Sequence, residues 1–396
     1  MTDLVPVARP MGRNLSPPGV LFAVLGLLSL LLPFVTLRAN RIVAGDGAAP
    51  WEVAGPFIVT ASLLAIAGGL ACGLVQIRPA LRFVGSLACL GGVFVLLSQG
   101  SANLLDGAGT LARVSPAAGF WCLLSVALLL MADAIGGLRP GPGLRLALLL
   151  FVLAGLFALL SSGALEHLSP MQEYRAREAG FRTAASRHVA LAFGSLAVAA
   201  AIGFPLGIVC HRRPGLRTAT IPVLSFLQTI PSLAMFGIMI PILGWVGDAV
   251  PGAHAMGIAG IGFAPAFVAL LLYSLLPVVS NTVAGLGSVP PPSVEAARGM
   301  GMTLRQRLWT VELPLAFPVI LAGLRIVLVQ NIGLAVIAGL IGGGGFGTFV
   351  FQGLNQTATD LILLGALPTV FMALVAAILM DILVDLAQRT PKRGNP

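Results

Sequence analysis

Cysteine, histidine and carboxylate side chains do chemistry when their spacing lets them converge, and in this chain they are scattered. Cys72, Cys89, Cys122 and Cys210 lie in or beside apolar runs and show no C-x-x-C spacing. They read as small core residues rather than disulfide partners or metal ligands. His167, His188, His211 and His254 share no metal-ligand interval, and no Ser/His or His/Asp constellation points to a membrane enzyme. Gly342–Gly347 contains a formal G-x-G-x-x-G, but it follows an apolar run and opens no βαβ unit. It reads as a bend, not a dinucleotide cradle. A P-loop needs G-x-x-x-x-G-K-[ST], and the sole lysine, Lys392, is preceded by Pro391. The expectation is a chain with no catalytic residues, no metal and no cofactor of its own.

What stands out instead are polar groups inside apolar segments. Gln228, Ser232, Tyr273, Asn281, Gln330 and Asn331 all lie there. Polar side chains in lipid are costly and mark either a solute pathway or contacts between helices. Both readings stand for these six. Arg325 is also embedded, and Asp381 and Asp385 lie four residues apart, on one helix face. An intramembrane ion pair between Arg325 and Asp381 follows if their helices run antiparallel. Contact between Arg325 and a substrate carboxylate is the rival reading.

The elements that position these groups follow from composition. Only 9% of the 396 residues are charged, 57% are hydrophobic, and the mean hydropathy is +0.99. A chain this apolar needs lipid as solvent. There are about ten continuous runs of helix-spanning length: Gly19–Leu37, Phe57–Ile77, Ala80–Ser98, Ala117–Ile135, Leu144–Ser162, His188–Cys210, Thr218–Leu243, Phe263–Gly285, Leu315–Ile341 and Leu361–Ala387. They are continuous and too long for barrel strands, which predicts an all-α polytopic membrane protein. The first run reads as a signal-anchor, since no small-x-small cleavage site follows it. Pro222, Pro231 and Pro241 interrupt the seventh, and broken helices expose backbone that can line a cavity.

The net charge of +9 does not form a nucleic-acid-binding face. Arg9, Arg13, Arg78, Arg82, Arg139, Arg145, Arg212, Arg213, Arg217, Arg298, Arg305, Arg307, Arg389, Lys392 and Arg393 fall on one side of the predicted membrane. Fewer arginines, among them Arg38, Arg41 and Arg113, fall on the other. The positive-inside rule then puts both termini in the cytoplasm.

The polar stretch 164–187 divides about five N-terminal spans from about five C-terminal ones. The first set holds few embedded polar groups, Asp133 being the main exception. Transport is therefore expected in the second.

Between the eighth and ninth runs lies EAARGMGMTLRQRLWTVELP, Glu295–Pro314. Pro290, Pro291 and Pro292 end the preceding span. Ser293 can cap a new helix with Glu295 in its first turn, and Gly299 and Gly301 bend the chain. Leu304, Leu308 and Val311 then share a face, and Pro314 starts the next span. A short helix, a bend and a second short helix suit docking into a groove on a partner. A plain interfacial helix is the simpler alternative.

This loop resembles that of the permease subunits of bacterial ABC importers: E-A-A, three residues, Gly, nine residues, Ile/Val, any residue, Leu-Pro. Glu295, Ala296, Ala297, Gly301, Val311, Leu313 and Pro314 match at that spacing. The resemblance implies a type I (MetI-like) permease core whose loop 290–314 is a coupling helix. Glu295, Ala296, Ala297, Gly301, Leu313 and Pro314 would then meet a separate ATPase that holds the ATP and Mg. QTIPSLAMFG (Gln228–Gly237), LYSLLPVVSNTVAGL (Leu272–Leu286), EAARGMGMTLRQRL (Glu295–Leu308) and NIGLAVIAGLIGGGGFG (Asn331–Gly347) resemble the glycine betaine, choline and carnitine permeases. Asn40-Arg41-Ile42-Val43, Leu111-Ala112-Arg113 and Met171-Gln172-Glu173-Tyr174 resemble a variant with added N-terminal spans.

The resemblance implies a tail 1–18, an accessory membrane region 19–163, a periplasmic connector 164–187, a permease core 188–387 and a tail 388–396. Implied partners are ATPase subunits, a second permease subunit (identical or a close paralogue), a periplasmic or lipid-anchored substrate-binding protein and membrane lipid, with no nucleic acid. Of the two tyrosines, Tyr174 and Tyr273, Tyr273 alone lies in a span, so an aromatic cage for a quaternary ammonium is expected on the binding protein. An ABC permease for another solute, such as an amino acid, is one alternative. An ion-coupled secondary transporter is another.

Overall fold

A computed structural model describes residues 15–40 and 43–388. Arg9, Arg13, Arg41, Ile42, Arg389, Lys392 and Arg393 lie outside the described residues. Among those described, nine helices are long and apolar enough to cross a membrane. The chain divides into two compact units, Met1–Gly141 with Phe151–Gln172, and Pro142–Leu150 with Glu173–Pro396.

The first unit contains α1 (Pro17–Ser29), β1 (Val35–Arg38), β2 (Asp46–Ala48), α2 (Pro56–Leu74), α3 (Pro79–Leu105), β3 (Arg113–Pro116), α4 (Ala118–Leu138) and the later turns of α5 (Pro142–Ser161). Its core is built on Ile66, Leu96, Leu97, Leu123 and Phe120. The embedded Asp133 contacts the Arg82 guanidinium. Arg82 also donates to Ser16 Oγ (3.3 Å) and the Gly73 carbonyl (3.1 Å), tying three helix ends together.

The helical class expected from the sequence holds, with one span shortened and one small sheet added. The first run, Gly19–Leu37, is helical only over the 13 residues Pro17–Ser29. The N–H groups of Leu30, Leu31 and Leu32 bond carbonyls three residues back, which tightens the last turn. Pro33 then cannot continue the helix, and β-branched Val35 and Thr36 pass into a strand. The fold also has a strand component. β1 lies between β2 and β3 in a small antiparallel sheet, with Val35 opposite both Ala48 and Pro116.

The second unit holds the first turns of α5, then, after α6 (Ser169–Ala176), α7 (Glu178–Val189), α8 (Ser195–Arg212), α9 (Pro214–Thr229), α10 (Ser232–Ala249), α11 (Phe263–Gly287), α12 (Pro291–Gly299), α13 (Leu304–Arg307), α14 (Leu313–Leu334), α15 (Gly347–Asn355) and α16 (Thr359–Gln388). A π turn, Ala190–Gly194, joins α7 and α8 into one 35-residue rod, Glu178–Arg212. The last part of the expected polar connector, residues 178–187, is therefore the start of this helix. A second π turn, Leu308–Glu312, joins α13 to α14. Pro314 thus lies within a 31-residue rod, Leu304–Leu334, and does not start a span. The wider turn before it gives room for a proline that supplies no N–H.

The seventh run is two helices. Residue 230, preceding Pro231, is extended (ψ 125°), the conformation a following proline favours. Pro231 then leads into α10. Pro222 and Pro241 stay inside their helices.

Helices α8 and α11 approach closely through Gly203 and Gly207, a G-x-x-x-G pair. A Cβ on Gly207 would lie 2.6 Å from Thr282 Cβ, and one on Gly203 would lie 2.7 Å from Val278 Cγ1. Gly207→Val must therefore push the helices apart, at about 1–3 kcal/mol for overpacking. Thermal unfolding of the detergent-purified chain should shift down for Gly207→Val and stay unchanged for Gly91→Val. The site at Gly91 has open space around it.

Candidate coupling loop and transport core

The loop after α11 is a bent pair of helices. Its first helix, α12, begins at Pro291 with Pro290 as cap, and Ser293 lies inside it with no capping bond. The expected cap at Ser293 is thus replaced one turn earlier. Proline at the first helical position is pre-set for the helix and leaves no N–H to satisfy. Ala297 is buried, while Glu295, Ala296 and Arg298 are exposed. Gly301 takes the left-handed conformation (φ 78°) that reverses the chain. Thr303 and Gln306 then form a capping box: Gln306 N–H donates to Thr303 Oγ1 (3.3 Å), and Thr303 N–H donates to Gln306 Oε1 (2.9 Å). Of the expected apolar face, Leu308 packs on Leu286, Val289, Ala316 and Ile320. Leu304 stays exposed, as do Met300 and Trp309.

A buried carboxylate fixes this loop to the membrane helices. Glu312 is the variable residue between Val311 and Leu313. Its Oε1 accepts from Arg307 Nε at 2.6 Å and its Oε2 from the Arg212 guanidinium at 3.3 Å. Arg212 also reaches the Leu304 carbonyl at 3.4 Å. The side chains of Arg307, Glu312 and Arg212 are 10%, 7% and 28% exposed. Together they join the end of α8 to the start of the rod that becomes α14. Reading the sequence missed this cluster. The available signal was Glu312, the second acid of a loop that carries Glu295 and the three arginines Arg298, Arg305 and Arg307.

The six polar pathway candidates separate by environment. Gln228 Nε2 donates to the Tyr273 carbonyl (2.8 Å), and the Tyr273 hydroxyl donates to the Ile230 carbonyl. These two residues therefore hold the break between α9 and α10. Asn331 is buried. Its amide donates to Ser195 Oγ (3.1 Å) and the Ala192 carbonyl (3.4 Å), and its oxygen accepts from Ser274 (3.0 Å). With its bonds spent on α11, α8 and the adjoining π turn, Asn331 joins helices and presents nothing to a solute. Asn281 donates to the Pro277 carbonyl (2.8 Å) and packs where Gly323 leaves room. Ser232 is half-buried and Gln330 exposed.

The Arg325 guanidinium contacts the Asp381 carboxylate. Arg145, at the start of α5, lies 2.9 Å from both Asp381 and Asp385, so the group is a four-member network. At the other end of these helices, Gly342, Gly344 and Gly345 all have left-handed backbone. His188 anchors that loop. Its Nε2 is 3.0 Å from the Ile332 carbonyl, and Phe346 N–H donates to its Nδ1 at 3.3 Å. The Phe346 ring packs on His188 and Phe181, and Phe181 also packs on Tyr174 and Phe349.

A helical, multi-pass chain whose polar groups are gathered between its helices, and whose structured loop is braced to two transmembrane rods, is by class a membrane transport subunit. Residues 203–393 match the inner membrane component of binding-protein-dependent transport systems, and residues 16–171 match the N-terminal domain of the ABC transporter permease YehY. The osmoprotectant import permease protein OsmW of Salmonella typhimurium is 43% identical over 187 residues, 47% of this chain and 80% of that protein. The carnitine transport permease protein OpuCB of Listeria monocytogenes is 39% identical over 189 residues, 48% of this chain and 79% of that protein. The choline transport system permease protein OpuBB of Bacillus subtilis is 35% identical over 202 residues, 51% of this chain and 84% of that protein. The chain belongs to the family of multi-pass inner-membrane permeases of ABC importers.

Two outcomes follow from the ion clusters. Glu312→Gln strands two guanidinium groups and should cost about 3 kcal/mol, as breaking a buried pair does. The double variant Arg307→Met with Glu312→Met should recover part of the loss in thermal unfolding. A double variant no better than the single would refute the buried-pair account. In the second network, Asp381→Asn should lower the melting temperature more than Asp385→Asn, since Asp381 answers two guanidinium groups and Asp385 one.

Proposed function

We propose that this chain is the translocation subunit of an ATP-driven importer for a small osmoprotectant of the glycine betaine, choline or carnitine class. The observation that carries this is the exposed, bent segment Glu295–Gly301, braced through Glu312 to α8 and α14. Glu295, Ala296 and Gly301 present a surface to a separate ATPase, with Met300 and Leu304 as apolar anchors beside them. Buried Ala297 supports that surface from beneath, and half-buried Leu313 and exposed Pro314 follow it at the start of α14. ATP and Mg belong to the ATPase. A push on α12 passes through the ion cluster to two long rods, which rock between inward- and outward-open states.

Two copies of the chain, or this chain and a close paralogue, form the path. A periplasmic or lipid-anchored receptor delivers the solute. Both termini and the loop face the cytoplasm, which agrees with the arginines gathered at the loop end of α8, α9 and α11. The relatives' named solutes support the substrate class, and the weak fixed charge along the candidate path suits a solute that must leave again.

The test is reconstitution with the cognate ATPase and receptor in proteoliposomes, followed by uptake of labelled glycine betaine, choline and carnitine. At least one should accumulate only with ATP, and Glu295→Ala should reduce uptake at least tenfold with the folded yield unchanged. A cysteine at Ala296 should cross-link to the ATPase. Uptake driven by an ion gradient without the ATPase would reject the reading.

A further inference from the structure

The acids of α16 are answered from outside the transport component. Asp381 and Asp385 lie four residues apart on α16, and Arg325 lies on α14. All three fall within residues 203–393, the match to the transport-system component. Arg145 lies on α5, within residues 16–171, the match to the N-terminal domain. Its Nη1 stands 2.9 Å from Asp381 Oδ2 and 2.9 Å from Asp385 Oδ2. Asp381 Oδ1 takes the Arg325 guanidinium. Among the described residues Asp385 pairs with Arg145 alone. Arg325 and the two aspartates sum to one uncompensated negative charge, and Arg145 brings the four to neutrality. An unmatched carboxylate is costly in a membrane-crossing helix, and like charges one turn apart repel.

The network sits on the rod that carries the loop after α11. Glu312 fixes that loop to the rod Leu304–Leu334, which bears Arg325 farther along. Just before Asp381, Ala376 and Met380 pack in one apolar cluster with Val327 and Leu328 of the same rod. Apolar packing is non-directional and leaves the register of two helices soft. Charge-assisted bonds fix it. Asp381 supplies such a bond between α14 and α16, with one oxygen to Arg325 and the other to Arg145. Without Arg145, Asp385 would compete with Asp381 for Arg325, and the register would loosen. We propose that Arg145 is a positioning residue for transport. By answering both aspartates it keeps α16 in register with α14, so that a displacement of the rod carries both helices. The helix α5, expected as an accessory span, thereby takes part in transport. This inference rests on the importer reading above.

The test is the amount of solute moved per ATP hydrolysed. It is measured in proteoliposomes with the cognate ATPase and receptor, using labelled glycine betaine, choline and carnitine. Arg145→Gln should lower that ratio about fivefold, within the range by which network residues modulate coupling. Arg145→Gln with Asp385→Asn, which restores neutrality, should return it most of the way. A single nitrogen serves both acids, so Arg145→Lys should keep most of the ratio. Arg139→Gln, at an exposed arginine with no ion pair among the described residues, should leave it unchanged. A merely structural role would lower the folded yield of Arg145→Gln and leave the ratio of the folded fraction intact. That result, or a double variant no better than Arg145→Gln, overturns the proposal. The unmodified chain separates the two readings. If it shows no ATP-driven uptake, the importer reading fails and the transport role of Arg145 falls with it. If it transports and the variants do not respond as stated, this inference alone fails.

Discussion

In hydrocarbon every backbone N–H and C=O must find a partner inside the protein, and this constraint governs the fold. Continuous helix meets it without help. Each departure from continuous helix therefore needs a specific receiver, and the receivers here are identifiable. At residue 230 the chain leaves the helix, and the freed carbonyl accepts the Tyr273 hydroxyl while Gln228 reaches back to Tyr273. At Gly342–Gly347 the chain turns through left-handed glycines, and His188 takes the Phe346 N–H. At Pro314 the missing donor is accommodated by a π turn in an otherwise unbroken rod.

These receivers explain why polar residues sit where they do. A side chain that satisfies a helix break cannot also bind a passing solute strongly. Tyr273 and Asn331 have their hydrogen-bonding capacity taken up by backbone and neighbouring side chains. The groups still available for transient contact are half-buried or exposed ones, such as Ser232 and Gln330. A weakly binding path with its strong polar groups spent on scaffolding is consistent with a permease that leaves recognition to a receptor.

Much of the architecture was legible because it is written in long periodic runs. Spans such as Phe57–Ile77 and Phe263–Gly285 fall within a few residues of α2 and α11. The loop was legible because its spacing is fixed. The rest was hidden for physical reasons. A strand as short as Val35–Arg38 leaves almost no pattern, since its pairing depends on Asp46–Ala48 and Arg113–Pro116, distant in sequence. The π turns were invisible because they alter hydrogen bonding without altering hydropathy. The Arg212–Glu312–Arg307 cluster joins residues about a hundred positions apart, a separation no local reading spans. Arg325 and Asp381 could be paired on paper, yet Arg145 entered the network from a helix assigned to another region.

The buried carboxylate at Glu312 bears on mechanism in a way that fold membership does not. If, as proposed, the loop docks on an ATPase, it must transmit displacement, so its attachment has to be stiffer than the flexing of the loop itself. Apolar packing alone, such as Leu308 on Ile320, permits sliding. Charge-assisted bonds to a carboxylate that is 7% exposed fix direction as well as distance. Glu312 receives one guanidinium from its own rod and one from α8, so a shift of the loop must carry both rods with it or break a buried ion pair. The left-handed Gly301 turns the chain between the exposed Glu295–Ala296 face and the braced rod. In the proposed coupling, the stiff attachment at residue 312 would carry a displacement of the short helix to both long ones as a unit.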